Sequence, residues 1–240
     1  MSPARTAPPV VRVIGPGRAG TALTRALAGA GWVVAAPLGR GDDPAGAAEH
    51  VDLLVVSAPD GAVAATAAAV APVPTTVVDH LAGSLGLDVL APHPRRAALH
   101  PLVSIPVPTT SLRGAWFAVA GDPLAQMVVD DLGGRTVAVA DEHRAEYHAA
   151  ACIASNHLVG LLGHVERVAA GAGVPLAAFL DLVRGTVDNV ARLGPAAALT
   201  GPLARGDEAT VRSHLAALAP DERPAYEAMV EATRKLLPCR

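Results

Sequence analysis

The sequence predicts an α/β fold in two parts, a parallel-sheet domain over residues 10–140 and a smaller all-α domain over 141–240. Three observations carry that prediction. Short runs of Val and Leu without alternation recur through the first half, as expected of strands buried on both faces of a parallel sheet. Ala-rich stretches of helical length separate those runs, which is the alternation of a doubly wound sheet. After about residue 140 the strand-like runs stop and helical patterning continues alone.

In chain order, the Pro-rich start "MSPARTAPPV" lacks the apolar core of a signal peptide and reads as a flexible tail over 1–9. "VVRVI" at 10–14 is the first strand, and a helix over about 18–30 follows, with Gly31 as its stop. "WVVAA" at 32–36, "VDLLVVSAP" at 51–59 and "TTVVDH" at 75–80 are further strands. An Ala-rich helix beginning near Asp60 separates the last two. The stretch from Gly61 to Val78 has no charge and approaches the length of a membrane span, but Pro72 and Pro74 break it into helix, turn and strand. We therefore expect no membrane segment. "AWFAVAG" at 115–121 and "RTVAVA" at 135–140 continue or edge the sheet. A long helix then runs through "DEHRAEYHAAACIASNHLVGLLGHVERVAAGAGV", with Asp141 as N-cap and Gly171 or Gly173 as stop. Helices near 175–190, 207–218 and 221–236 complete the chain.

Composition narrows the function. Half of the 240 residues are apolar and only 2% are aromatic, so the core must be built from small side chains. A net charge of −3 gives no electrostatic footprint for nucleic acid. Two cysteines, Cys152 and Cys239, form neither a disulfide framework nor a metal spacing, which suits a reducing cytoplasm.

The first motif with chemistry is "VRVIGPGRAGTAL". Gly15, Gly17 and Gly20 close a strand and open a helix at the spacing of a dinucleotide-binding turn, which makes the first domain Rossmann-type. Gly15 permits the tight turn, Gly17 lets a pyrophosphate approach the backbone, and Gly20 lets helix and strand pack closely. The helix N-terminus, with Ala19 and Arg18 in the loop, supplies amides and a positive dipole end to the phosphates. An NAD site places an acidic residue about 20 residues further on. Here Gly39 and Arg40 stand at that turn and Asp42 and Asp43 come late, so a guanidinium for a 2′-phosphate, and hence NADP(H), is expected. Ser57, Ala58 and Pro59 follow the next buried strand, where their backbone would meet the nicotinamide-side ribose.

The second motif is a polar stripe. His148, Cys152, Ser155 and Asn156 fall on one side of an otherwise apolar helix, which is costly to bury without partners. Such a stripe lines an active cleft or forms an inter-helix hydrogen-bond seam. Asn156 and His148 are the catalytic candidates on it, and Ser155 a substrate contact. His100 and His80 lie just past carboxyl ends of strands, where ligands sit and an imidazole titrates near neutral pH. His100 is the first choice as general acid and His148 the second, with His80 as a substrate contact. His157 and His164 lack a third metal ligand and read as packing or partly exposed groups. In "LTGPLARGD", Arg205 suits a bidentate grip on a substrate carboxylate, and Asp207 suits a helix cap.

The chain resembles the family in which a Rossmann-like domain precedes a domain of unknown function numbered 2520 (DUF2520), itself near the ketopantoate reductases, pyrroline-carboxylate reductases and β-hydroxyacid dehydrogenases. The matching pieces are "VIGPGRAGTAL", "DLLVVSAPD", "HLAGSLGLDVL", "LHPLVSI", "YHAAACIASNHLVGLL" and "LGPAAALTGPLARGD". The resemblance implies a nicotinamide-dependent reductase that dimerises through its helical domain, with ketopantoate, a small 2-oxo acid, as the named substrate. It also exposes a departure. The related dehydrogenases use a lysine one turn before an asparagine, whereas Cys152 stands four residues before Asn156 and the chain's one lysine is Lys235. A cyclic imine that arrives already protonated is the alternative substrate. A deazaflavin as hydride partner and a non-catalytic NADP(H) sensor are the remaining readings.

Overall fold

The computed structural model describes residues 7–238. Residues 1–6 of the expected tail, and Cys239, lie outside them. The chain divides into two compact units, one reaching Ile153 and one beginning at Ala154.

The first unit is built on one sheet. Its strands are β1 (Val10–Ile14), β2 (Val33–Val34), β3 (Leu53–Val56), β4 (Val77–His80), β5 (Arg96–Pro101), β6 (Trp116–Gly121) and β7 (Arg135–Ala138). They lie in the order β2-β1-β3-β4-β5-β6-β7. All neighbours are parallel except β5 and β6, which pair antiparallel. The helices are α1 (Arg18–Gly29), α2 (Asp60–Ala68), α3 (Leu124–Asp131) and α4 (Arg144–Cys152).

Every residue of β3 and β4 is buried, which is why β3 reads as an unbroken apolar run and β4 opens on Val77 and Val78 before burying Asp79 and His80. One sheet face carries Val11, Val13, Leu53, Val55, Val77, Leu99 and Phe117 under α1 and α3. The other carries Ile14, Leu54, Val56 and Val78 under α2. The chain runs outward from β1 to β2 and then returns to the other side of β1 as β3. The carboxyl ends of β1 and β3 thus flank the point where strand order reverses, the usual ligand crevice of such sheets.

Four elements differ from expectation. β2 keeps only two residues of the expected run, because Pro37 lacks an amide and the segment meets β1 intermittently, through Ala35, Leu38 and an isolated Ile14–Leu38 bridge. β5 was not expected, since "RAALHP" contains Arg, His and Pro where an apolar run was sought. His100 consequently lies inside a strand rather than after one. α3 was also unexpected, being eight residues long. Asp141 does not cap α4. It opens a short 3-10 turn, Asp141–His143, and its carboxylate accepts from Arg144 Nε at 3.2 Å.

The unit boundary lies near 153 rather than 140, because α4 carries buried Arg144 and half-buried Tyr147 and His148 among the sheet's edge loops. No strand follows Ala138 among the described residues. A π-helical turn (Ile153–His157) succeeds α4, and then α5 (Leu158–Ala170), α6 (Ala177–Leu193), α7 (Pro195–Ala198), α8 (Glu208–Ala217) and α9 (Arg223–Arg234). Asp207 caps α8 as expected, accepting from the Thr210 amide at 3.0 Å.

Candidate functional site

Gly15 turns the chain at φ +87°, and a Cβ there would collide with the Ser57 carbonyl oxygen. Only glycine meets both conditions. A Cβ on Gly20 would stand 2.8 Å from the Gly15 carbonyl and from the Val13 side chain, so α1 packs directly on β1. Gly17 differs. Its backbone is extended, nothing lies within 4 Å of a Cβ, and it is the N-cap of α1 without a capping side chain. A twelve-residue helix therefore presents an uncapped N-terminus at the switch point, with Arg18 exposed and Ala19 half-buried beside it.

The Gly15 amide donates to the Leu38 carbonyl at 2.8 Å, which brings the end of the second strand against the glycine turn. Arg40 is exposed two residues on. The Asp42 carboxylate accepts from the Gly39 amide at 2.7 Å, which turns one of its oxygens to its own loop. Ser57 donates its amide to the Ile14 carbonyl at 2.9 Å, and Ser57 and Ala58 are half-buried and Pro59 exposed at the same edge. An open backbone turn, an uncapped helix and two exposed guanidiniums are donors that fit a pyrophosphate and one further phosphate.

Further along the same edge, at β5 and the loop after β4, lies a second polar group. His100 Nδ1 stands 2.6 Å from the Tyr147 hydroxyl, with the two rings edge-on at 5.6 Å. The His148 ring is 5.8 Å from that of His100. Gly83, in the loop after β4, makes this packing possible. A Cβ on it would stand 2.5 Å from His148 Nδ1 and 2.9 Å from His100 Cε1. The loop is tied to α2 by a hydrogen bond from the Ser84 hydroxyl to the Asp60 carboxylate. His148 Nε2 faces the Cys152 thiol at 3.6 Å, and its Nδ1 is buried without a hydrogen bond.

Behind this group lies a buried cation. Arg144 is 1% exposed, and both its terminal nitrogens are buried without a protein partner. Asp79 is also fully enclosed, with no satisfactory hydrogen bond to either oxygen, although the His80 backbone lies close enough to favour its ionised form slightly. Burial outweighs the attraction of Arg144 and holds the Asp79 carboxyl well above its ordinary pKa. Burial, then the charges of His148 and Arg144, push His100 down to about 4. Burial also raises Tyr147 to about 12, against the opposing pull of Arg144. At neutral pH both members of the pair are uncharged. A neutral phenol and a neutral imidazole share this contact through one proton, and the phenol donating to Nδ1 would place the His100 proton on Nε2.

His80 has a different environment from the one its sequence position suggested. It is fully buried, its Nε2 donates to the Gly86 carbonyl at 3.2 Å, and its Nδ1 accepts from the Ala82 amide at 3.2 Å. Both nitrogens brace the loop, and neither is left for a substrate. In the second unit, Asn156 is exposed on the π-helical turn and accepts from the Ser155 hydroxyl at 3.1 Å. Arg205 is exposed in a 3-10 turn. His164 pairs with Glu222 at 2.6 Å, and His157 is exposed.

Tyr147, Arg144, Gly83 and Asp79 were not singled out in the sequence. A signal existed for two of them. Arg144 continues the His148, Cys152 spacing one turn back, and Tyr147 is one of only two tyrosines. Nothing in the local sequence shows that Gly83 separates two imidazoles.

Residues 117–233 match the family model described as domain of unknown function DUF2520, in line with the resemblance carried by the sequence motifs. No curated protein matches the chain. Solved structures share its fold. A candidate NADP oxidoreductase of Bacteroides fragilis superposes with a TM-score of 0.75 at 20% identity, covering 95% of this chain and 98% of the other. A reductive aminase of Aspergillus terreus, in complex with NADPH and ethyl levulinate, gives 0.68 at 16%, over 95% and 94%. The pyrroline carboxylate reductase of Plasmodium falciparum, with NADP bound, gives 0.62 at 12%, over 95% and 98%.

Proposed function

We propose that this chain is an NADP(H)-dependent reductase of a small carbonyl compound, a 2-oxo acid such as ketopantoate. The observation that carries the reading is the pairing of two features on one sheet edge. The first is the uncapped α1 N-terminus with Arg40 beside it. The second is the buried His100–Tyr147 pair. The similarity in fold to a candidate NADP oxidoreductase and to two reductases holding NADPH or NADP supports the choice of cofactor.

Gly15, Gly17, Arg18, Ala19 and Gly20 would hold the pyrophosphate, Arg40 the 2′-phosphate, and Ser57, Ala58 and Pro59 the nicotinamide-side ribose. A bound NADPH supplies hydride, and everything else falls to the chain's own groups. His100 presents Nε2–H as the proton donor, and His148 packs against it. Asn156, on a π-helical turn of a kind often found at functional sites, would orient the substrate with Ser155. Arg205 would grip the carboxylate.

A second reading, reduction of a cyclic imine, is favoured by the likeness to a reductive aminase and a pyrroline carboxylate reductase. NADPH oxidation followed with ketopantoate, with pyrroline carboxylate and with no substrate separates the two. Turnover of neither, with tight NADPH binding, would leave the sensor reading. Replacing Asn156 with Ala should abolish turnover and leave NADPH affinity intact, and a variant at wild-type rate would remove Asn156 from the site.

A further inference from the structure

Resting on the reductase reading, we propose that Tyr147 and Arg144 act through His100 as positioning residues. Tyr147 fixes its tautomer and hands it a proton, and the buried Arg144 cation biases the site toward substrates whose oxygen turns anionic.

The geometry comes first. The 2.6 Å contact engages Nδ1 with the phenol oxygen, and with the phenol as donor the exchangeable proton of neutral His100 sits on Nε2, away from it. Gly83 holds His100 and His148 close together, and Ser84 ties that loop to Asp60. Arg144 lies on the same helix as Tyr147 and His148, three and four residues before them, with only its Nε engaged, by Asp141.

The proton balance follows. A bound reduced nicotinamide would supply hydride to the carbonyl carbon, and the π pair of C=O would move onto oxygen. The Nε2–H bond breaks, and its proton completes the hydroxyl. Nδ1 takes the phenol proton, the Tyr147 O–H bond breaks, and water reprotonates the tyrosinate. The carbonyl gains two electrons, the nicotinamide loses two, and one proton comes from solvent. A phenol at about 12 can feed an alkoxide, a base comparable to hydroxide, whose conjugate acid has a pKa of ~15.7.

An imine needs the reverse order. It must be protonated before hydride arrives, and neither neutral His100 nor Tyr147 is acidic enough to do so. Arg144 also opposes the resulting cation, since like charges in a desolvated site disfavour one another. The charged and titratable groups around His100 are His148, Arg144, Asp60 and His80, with Tyr147 bonded to it. Among these groups Asp60 is the carboxylate, and one of its oxygens accepts from the Ser84 hydroxyl.

The test joins a spectroscopic and a kinetic readout on the full chain. Nitrogen-15 NMR of histidine-labelled wild type should show His100 protonated on Nε2, with Nδ1 shifted as a hydrogen-bond acceptor. In Tyr147→Phe that shift should vanish. With NADPH, Tyr147→Phe should lower kcat for ketopantoate by about 100-fold, the scale of one acid–base contribution, at unchanged KM and NADPH Kd. Its rate with pyrroline carboxylate should stay within about twofold, and Arg144→Met should shift preference toward the imine. His100 protonated on Nδ1, an unaltered carbonyl kcat, or equal losses on both substrates would overturn the proposal. A wild type that reduces neither substrate overturns the reductase reading instead, and the tautomer measurement still decides the pairing without any variant.

Discussion

Gly83 carries no functional group, yet two candidate catalytic histidines depend on it. A methyl group there would overlap His148 Nδ1 and the His100 ring edge. Gly83→Ala should therefore cost about 1–3 kcal/mol of stability as an overpacking change. It should also lower kcat more than NADPH affinity, because the glycine turn lies two strands away, at the end of β1. Thermal melts and steady-state kinetics check this, and a variant with wild-type turnover would show that the imidazoles are free to move. Arg40 gives the complementary prediction. Its loss should weaken NADPH by roughly 10- to 100-fold, the scale of a hydrogen bond to a charged group, and barely alter NADH. Titrations of both nucleotides decide it, and equal losses would exclude a 2′-phosphate contact. The glycine turn was legible in the sequence because its spacing encodes a backbone shape. The His100–Tyr147 pair was not, since 47 positions separate two residues that only the sheet and α4 bring together.

Among the elements, the central strands announced themselves and the edges did not. β3 and β4 are buried on both faces, so β3 is apolar throughout and β4 begins with two valines. β5 carries Arg96 and His100 and also pairs antiparallel with β6, and neither feature yields an unbroken apolar run. The exception within β4 is Asp79, placed by register between Val55 and Ala97. Burial holds its pKa well above the ordinary value, so the folded chain keeps a proton that the unfolded chain releases near ~3.9. Stability should thus fall as pH rises from there toward the raised folded value. Asp79→Asn removes that dependence, and chemical unfolding should show the variant gaining on wild type as pH rises above the ordinary carboxylate range. The opposite trend would mean that Asp79 is ionised and paired with Arg144.

For the whole molecule, the expectation of a dimer through the helical unit can be tested at what that unit leaves uncovered. Along α6, Leu182 is 67% exposed, and Val187, Val190 and Leu193 are exposed with it. Four large apolar side chains on one helix exceed the scattered exposure usual for a monomer. The same unit holds an apolar hollow of about 590 Å³ lined by Leu161, Val165, Val168, Phe179 and Met229. A second copy is the natural cover, since closed two-fold dimers are the commonest oligomers and need only a self-complementary patch. Leu182→Glu combined with Val190→Glu should place two carboxylates in that patch, where burial without partners is costly. If the wild type is the expected dimer, light scattering at micromolar concentration should then report the variant as a monomer. NADPH binding should persist, because Gly15, Gly17, Gly20 and Arg40 all belong to the first unit. A wild type that is monomeric at that concentration, or a doubly charged variant that remains dimeric, would remove α6 from any interface.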